Sequence, residues 1–150
     1  MSSISITIQG VEELLKKADN LIPQINAGLN AGALYVKGQA AMYPAQTHAT
    51  RASVYGKTFQ SDRQRRWFFA VGIHQTPYGR TSQLGQGWFV NNKDMLSVAV
   101  ENATQYGYYV QGAPGQSLYH RAQGWKDTNQ IAEESGPVVT NMLKKMIDNL

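Results

Sequence analysis

The chain has 150 residues, of which 42% are hydrophobic, as expected for one globular domain with a sizeable core, whereas the charged fraction of 16% is low. Cysteine is absent, which excludes disulfide bonds and thiolate metal sites, and the net charge of +4 is small for a dedicated nucleic-acid binder. The sequence contains neither a basic start followed by an apolar run nor 18 uninterrupted apolar residues, so we expect no signal peptide and no membrane span.

The N-terminal part predicts one strand followed by helices. Polar and apolar residues alternate over residues 4–9, which is typical of a half-buried strand. Residues 11–18 place acids in a first helical turn and lysines one turn later, as in a short helix. Over residues 24–42, apolar residues recur every three or four positions, which predicts a long amphipathic helix ending at Tyr43-Pro44. Residues 45–60 show no period and are expected to form a surface loop.

Three glycines lie inside the predicted long helix, at Gly28, Gly32 and Gly38. Each weakens a helix by about 1 kcal/mol relative to alanine. Because small residues let a second element approach closely, we interpret the three glycines as points of tight packing in the core.

The segment after the loop allows two structures. Ser61 can cap a short helix over residues 63–73, with Trp67 and Phe68 facing the core. A strand over residues 67–71 has the better β propensity. We favour the helix.

The next segment predicts a small antiparallel sheet. After a loop over residues 75–87, residues 87–90 and 96–101 have the pattern of paired strands, joined by a turn-rich loop at residues 91–94. Residues 106–111 are expected to add a third strand or the edge of this sheet.

The chain closes with a predicted helix over residues 127–149, capped by Asp127. Gly136-Pro137 interrupts its apolar stripe, which predicts a kink or two consecutive helices. The predicted fold class is α+β: a single domain over residues 1–150 with an N-terminal strand, a long helix, a small antiparallel sheet and a C-terminal helix.

The residue types that carry catalysis or bind metals form no recognisable pattern. None of the three histidines, His48, His74 and His120, has a second ligand at metal spacing. The chain has no G-x-S-x-G elbow and no phosphate-binding glycine pattern. Glu133 and Glu134 are adjacent on a predicted helix and point in different directions, so they do not form an acid/base pair. We expect no enzyme activity, no cofactor and no metal.

Charge is unevenly distributed along the chain. Residues 61–90 contain four arginines and one acid, whereas residues 127–150 contain two lysines and four acids. The arginine side chain offers a planar fork to phosphate or carboxylate, so this basic patch suits either a polyanion or acids such as Glu133 or Asp148 of a neighbouring subunit. We favour the subunit contact over direct DNA contact. The candidate basic patch consists of Arg63, Arg65, Arg66 and Arg80.

Residues 106–125 (YGYYVQGAPGQSLYHRAQGW) combine four tyrosines and one tryptophan with glycine and proline. Tyrosine and tryptophan bring rigid contact area with a polar tip and are enriched at interfaces. We predict that residues 111–121 contact another subunit or partner, and that Val110 and Trp125 are structural. The candidate interface residues are Tyr106, Tyr108, Tyr109, Gln111, Gly112, Ser117, Tyr119, His120 and Arg121.

Three segments together resemble the neck or tail-completion proteins of long-tailed bacteriophages. One has the pattern Arg-Thr-x-x-Leu-x-x-x-Trp, the next Tyr-x-x-Tyr-Val-Gln-Gly, and the last a histidine followed by Gly-Trp. The opening strand and the long helix ending near Pro44 also fit. The matching residues are Arg80, Thr81, Leu84, Trp88, Tyr106, Tyr109, Val110, Gln111, Gly112, His120, Gly124 and Trp125.

The resemblance implies a virion structural protein at the head–tail junction, made in the host bacterial cytoplasm. Such proteins form rings of identical subunits around the channel through which DNA leaves the capsid. The implied partners are further copies of the chain and other phage neck and tail proteins, while DNA passes without specific binding and no membrane is involved. Two complementary patches per subunit are what a closed ring needs. The alternatives are a minor tail component, or a nucleic-acid-binding module that uses residues 61–80.

Overall fold

A three-stranded antiparallel sheet forms the frame of the computed structural model, which describes residues 2–8, 21–45, 53, 61–70 and 82–148. The strands are β1 (Ser2–Thr7), β2 (Trp88–Asp94) and β3 (Ser97–Asn102), in the spatial order β1-β3-β2. The predicted N-terminal strand and the antiparallel pairing of the two later strands are confirmed.

Six helices complete the described part of the chain, and the α+β class is confirmed. They are α1 (Ile22–Ala40), α2 (Asp62–Ala70), α3 (Gln83–Gln86), α4 (Gly107–Gln111), α5 (Leu118–Ala122) and α6 (Thr128–Asp148). The predictions for residues 11–18, for nearly all of residues 46–60 and for residues 75–81 lie outside the described residues.

Both long helices pack on one face of the sheet. α1 lies across β2 and β3, and α6 packs against α1 and β1. The two helices are antiparallel, because Gly28 faces Leu143 and Met146 whereas Gly32 faces Val139. Tight packing is thus confirmed at these two glycines and is wrong for Gly38, which is exposed. The main core consists of Ile4, Ile25, Leu29, Ala33, Val36, Ala40, Trp88, Val98, Val100, Ile131 and Val139.

The predicted hairpin loop at residues 91–94 is wrong, because β2 continues through these residues and the turn lies at Met95 and Leu96. Cross-strand pairs hold the polar end of β2 in the sheet. Lys93 Nζ lies 2.7 Å from Glu101 Oε1, and Asn91 donates to Glu101 Oε2 at 3.1 Å. The hydrogen bonds from Lys93 and Asn91 lower the pKa of Glu101. Glu101 is opposite Phe89 in the register, so one carboxylate reaches diagonally across the strand pair to Asn91 and Lys93 and retains these loop-forming residue types in the strand.

The predicted third strand at residues 106–111 is also wrong, because these residues begin the helix α4 and the third strand is β1. Asn102 ends β3 with a turn: its Oδ1 accepts from the Thr104 backbone N–H at 2.8 Å, and its side-chain amide donates to the Leu84 carbonyl at 2.9 Å. Gly107 permits the tight return, since a Cβ there would lie 2.9 Å from Thr104 Oγ1. The tertiary fold thus overrides a strand-like aromatic pattern.

The C-terminal helix α6 is continuous, so the predicted division at Gly136-Pro137 into two helices is wrong. Pro137 lies on the exposed side, where the carbonyl group that loses its helical partner can bind water. The predicted start is confirmed. Asp127 accepts from the Gln130 backbone N–H at 2.9 Å, and Gln130 Oε1 accepts from the Asp127 backbone N–H at 3.0 Å, a reciprocal cap.

The helix predicted after Ser61 is confirmed as α2, and Ser61 Oγ accepts from the Gln64 backbone N–H at 3.2 Å. Trp67 is 60% exposed, so the prediction that it faces the core is wrong. The loop expected over residues 75–87 contains the short helix α3 where it is described. No helix of the described ranges is both long and apolar enough to cross a membrane.

Candidate contact surface

Hydrogen bonds of the Gln111 side chain connect α4, which follows the sheet, to the rest of the domain. Its side chain is 1% exposed and makes two hydrogen bonds. Oε1 accepts from Trp88 Nε1 at 3.2 Å, and Nε2 donates to the Ala40 carbonyl at 3.0 Å. Since Ala40 is in the last turn of α1, its carbonyl lacks an intrahelical partner. The Gln111 amide therefore joins the end of α4 to β2 and to the end of α1.

A second, smaller apolar cluster lies beneath α4. Leu84, Val110 and Trp125 are buried together, and Tyr43 and Tyr106 pack against them. Tyr43 and Trp125 meet edge to face, with ring centroids 5.0 Å apart. The predicted structural roles of Val110 and Trp125 agree with this burial. The cluster holds the two ends of residues 106–125 together.

The loop between α4 and α5 makes hydrogen bonds and packing contacts with the elements around it. Gln116 Nε2 donates to the Val110 carbonyl at 3.0 Å and to the Trp125 carbonyl at 2.8 Å. The Ala113 backbone N–H donates to Thr128 Oγ1, in the first turn of α6, at 3.2 Å. The Tyr108 ring packs so closely on Gly115 that a Cβ there would lie 1.9 Å from Tyr108 Cε1. The loop is held in one conformation by these contacts.

The short helix α5 has a defined beginning and end. Ser117 Oγ accepts from the His120 backbone N–H at 3.3 Å, as an N-cap, and lies 2.7 Å from His120 Nδ1. The backbone after the helix turns at Gly124, whose φ of +83° favours glycine. The cap fixes the direction of α5 relative to the loop before it.

The outer side of this region exposes large apolar side chains. Tyr109 is 59% exposed, Leu118 56% and Tyr108 36%. The two tyrosine rings meet edge to face with centroids 5.6 Å apart, and the Ser117 backbone N–H donates to the Tyr109 carbonyl at 2.9 Å. We call Tyr108, Tyr109 and Leu118 the aromatic contact surface.

The nine predicted interface residues differ in how much of each side chain is exposed to solvent. Gln111, Gly112 and Tyr119 are buried, so their side chains belong to the interior of the domain. Leu118 lies within the predicted contact range 111–121 but is not one of the nine residues, because this range was expected to form a loop and no helical phase was assigned to it. As a helix, residues 117–122 place Leu118 about 100° from the buried Tyr119 around the axis, so the two side chains lie on different faces. The exposed predicted residues are Tyr108, Tyr109 and Arg121, and the half-buried ones are Tyr106, Ser117 and His120.

The predicted basic patch is described in part. Arg63 and Arg66 are exposed on α2, together with Trp67. Arg65 lies on the same helix, but its side chain is outside the described residues, as is Arg80. Of the predicted acidic partners, Glu133 and Asp148 are exposed on α6. The neighbouring Glu134 forms an ion pair with Lys126.

Within the described ranges, no group of three or more histidine, cysteine, aspartate or glutamate side chains is arranged to hold a metal ion. The exposed side chains of the candidate surface are aromatic and aliphatic on α4 and α5, and the arginines Arg63 and Arg66 are exposed on α2. Comparison with protein-family models, with curated proteins and with solved structures finds no match for the chain.

Proposed function

We propose that the chain is a virion structural subunit that forms a ring at the head–tail junction of a long-tailed bacteriophage. The observation that carries the proposal is the aromatic contact surface, which is exposed on α4 and α5, on either side of a loop held in place by the Gln111 and Gln116 hydrogen bonds. The resemblance of residues 80–125 to neck and tail-completion proteins supports the same function.

A rigid, exposed aromatic surface suits protein association for two physical reasons. Tyrosine is enriched among the residues that supply most of the binding energy at interfaces, and a leucine buried by a partner contributes through the apolar area removed from water. A loop that is already ordered loses little conformational entropy when a partner binds. Tyr109 and Leu118 therefore have the exposure and the backbone support of interface anchors.

Closure into a ring requires a second surface that differs from the first. The exposed arginines of α2, Arg63 and Arg66, would supply a basic surface for acids on the C-terminal helix of a neighbouring subunit. In this proposal the aromatic contact surface provides most of the affinity, and the charges select the partner and its orientation.

Replacing Leu118 with serine is expected to raise the protein concentration needed for ring formation by about tenfold, since removing an interface anchor costs about 1–2 kcal/mol. The measurement is negative-stain electron microscopy with mass photometry over a dilution series. Leu34→Ser is the matched control, because Leu34 is 59% exposed on α1, away from the contact surface, and Leu118 is 56% exposed. Equal assembly of the two variants, or a parent protein that forms no rings, would refute the proposal.

A second candidate function, binding of single-stranded nucleic acid, is favoured by the exposure of Trp67. An exposed indole with Arg63 and Arg66 on the same helix combines a stacking surface with phosphate-binding groups. In a filter-binding titration, this function predicts that log affinity falls linearly with log salt, with a shallower slope for Arg63→Gln/Arg66→Gln. No retention at low salt, or a slope unchanged by the double substitution, would exclude a role for these arginines.

A further inference from the structure

The strand β1 lies at an edge of the sheet. Within the described ranges β1 pairs only with β3, so its second edge has backbone groups to which no described strand bonds. Such an edge accepts another strand. Beside it runs a groove of about 410 Å³ between β1 and α6, whose floor includes the buried Ile4 and the half-buried Ile6 and Ile8.

The outer face of α6 borders the same groove. At 100° per residue, Glu133 and Lys144 are eleven residues apart and therefore lie within about 20° of each other around the helix. Both are exposed, and neither takes part in an ion pair with a described residue. Between them lie Gly136, Pro137 and Thr140, none of which has a long side chain, and Ile147, at the far end of the face, is 41% exposed.

This arrangement of charges is self-complementary under a two-fold rotation. Residues 133 and 144 are equidistant from the midpoint between Val138 and Val139. If two copies of α6 meet antiparallel at that midpoint, Glu133 of each copy lies opposite Lys144 of the other. Pro137 and Thr140, which are equidistant from that midpoint, then lie nearest the crossing point, and neither has a long side chain that would hold the helices apart.

The edge of β1 fits the same rotation. Antiparallel pairing of β1 with the β1 of a second copy places a two-fold axis perpendicular to the sheet. Because α6 packs against β1 on one face, the two α6 helices would then lie side by side and antiparallel on that face. Neighbouring strands are about 4.8 Å apart and packed helices about 8–10 Å apart, so both contacts can form together.

We infer that the free subunit pairs with a second copy of the chain about a two-fold axis, through the β1 edge and the outer face of α6. The contact would join the two sheets into one of six strands and cover Ile6, Ile8 and Ile147. Its complementarity lies in the reciprocal Glu133–Lys144 pairs. This pairing does not depend on the proposed ring, since an isologous contact closes at two copies whereas a ring uses heterologous contacts.

A single cysteine tests the axis directly, because the chain has no cysteine of its own. Thr140→Cys places one thiol beside the axis, and a short bis-maleimide is expected to convert the protein into a covalent dimer on a denaturing gel. Lys145→Cys is the control, exposed on the same helix but about 100° further round than Lys144. In a heterologous ring contact two different surface patches meet, so Thr140 of one subunit does not face Thr140 of the next. Rings alone are therefore not expected to give the cross-linked dimer. The inference is overturned if Thr140→Cys yields no more dimer than Lys145→Cys.

Charge exchange tests the reciprocal pairs in the Thr140→Cys background. Glu133→Lys alone and Lys144→Glu alone each place like charges opposite one another twice, so each is expected to lower the cross-linking yield several-fold. The double variant restores opposite charges and is expected to restore the yield. All these side chains are exposed, and circular dichroism verifies that each variant is folded. Equal yields in the single and double variants would contradict the antiparallel contact.

Discussion

Replacing Gln111 with alanine is expected to lower the free energy of unfolding by about 3–5 kcal/mol, as two losses combine. The first is polar: Trp88 Nε1 and the Ala40 carbonyl lose their bonds to Gln111 in a buried position. An unsatisfied buried group costs about 1–3 kcal/mol. The second is the cavity left by a side chain that is 1% exposed. Urea denaturation followed by tryptophan fluorescence measures the change.

Gln105→Ala is the matched control, because Gln105 is exposed just before α4. We expect it to change the free energy of unfolding by less than about 0.5 kcal/mol. A loss below about 1 kcal/mol for Gln111→Ala would show that the two hydrogen bonds contribute little beyond packing. The Gln111 variant should also weaken assembly, since it frees the end of the helix that carries Tyr108 and Tyr109.

The second large effect is expected at Gly32, where Val139 of α6 packs directly on the backbone of α1. A Cβ at this position would lie 2.7 Å from Val139 Cγ1, and the branched valine side chain has little freedom to move. Gly32→Leu is therefore expected to destabilise the domain by about 3 kcal/mol, despite the better helix propensity of leucine. Chemical denaturation again provides the measurement.

The same substitution at Gly38 should act in the opposite direction. Gly38 is on the same helix with nothing within 4 Å of a Cβ, so Gly38→Leu is expected to stabilise by about 0.5–1 kcal/mol. Adding Val139→Ala to Gly32→Leu should recover part of the loss, because it removes the clashing methyl groups. If both glycine variants change stability equally, the close approach of α1 and α6 is wrong.

The sequence pattern was sufficient where one element buries one regular face. The 3.6-residue period of α1 and the alternation in β1 each follow from burial on one side, so both elements were predictable. The caps at Ser61 and Asp127 are local interactions between residues three apart, and they too were predictable.

The pattern was insufficient where distant residues decide the structure. Asn91 remains in β2 because Glu101, ten residues later, accepts its hydrogen bond. Residues 106–111 form a helix because β1, from the opposite end of the chain, occupies the place beside β3. The burial of Gln111 depends on Ala40, 71 residues away, which no local pattern records. Of the nine predicted contact residues, three are therefore buried and six are exposed or half-buried, a division that the sequence pattern did not give.

The hydrogen bond from Ala113 to Thr128 links the position of the loop before α5 to the tilt of the long helix α6. It connects the loop beside the aromatic contact surface to the first turn of α6, and Gln116 holds the same loop to Trp125 just before that helix. With 21 residues, α6 is about 30 Å long, so a rotation of about 5° at its first turn moves its other end by about 3 Å. We therefore expect a partner that shifts this loop to tilt α6. Such a tilt would move the end of α6 where Met146 and Leu143 pack on Gly28, so we expect this contact to respond to a partner at the other end of the helix.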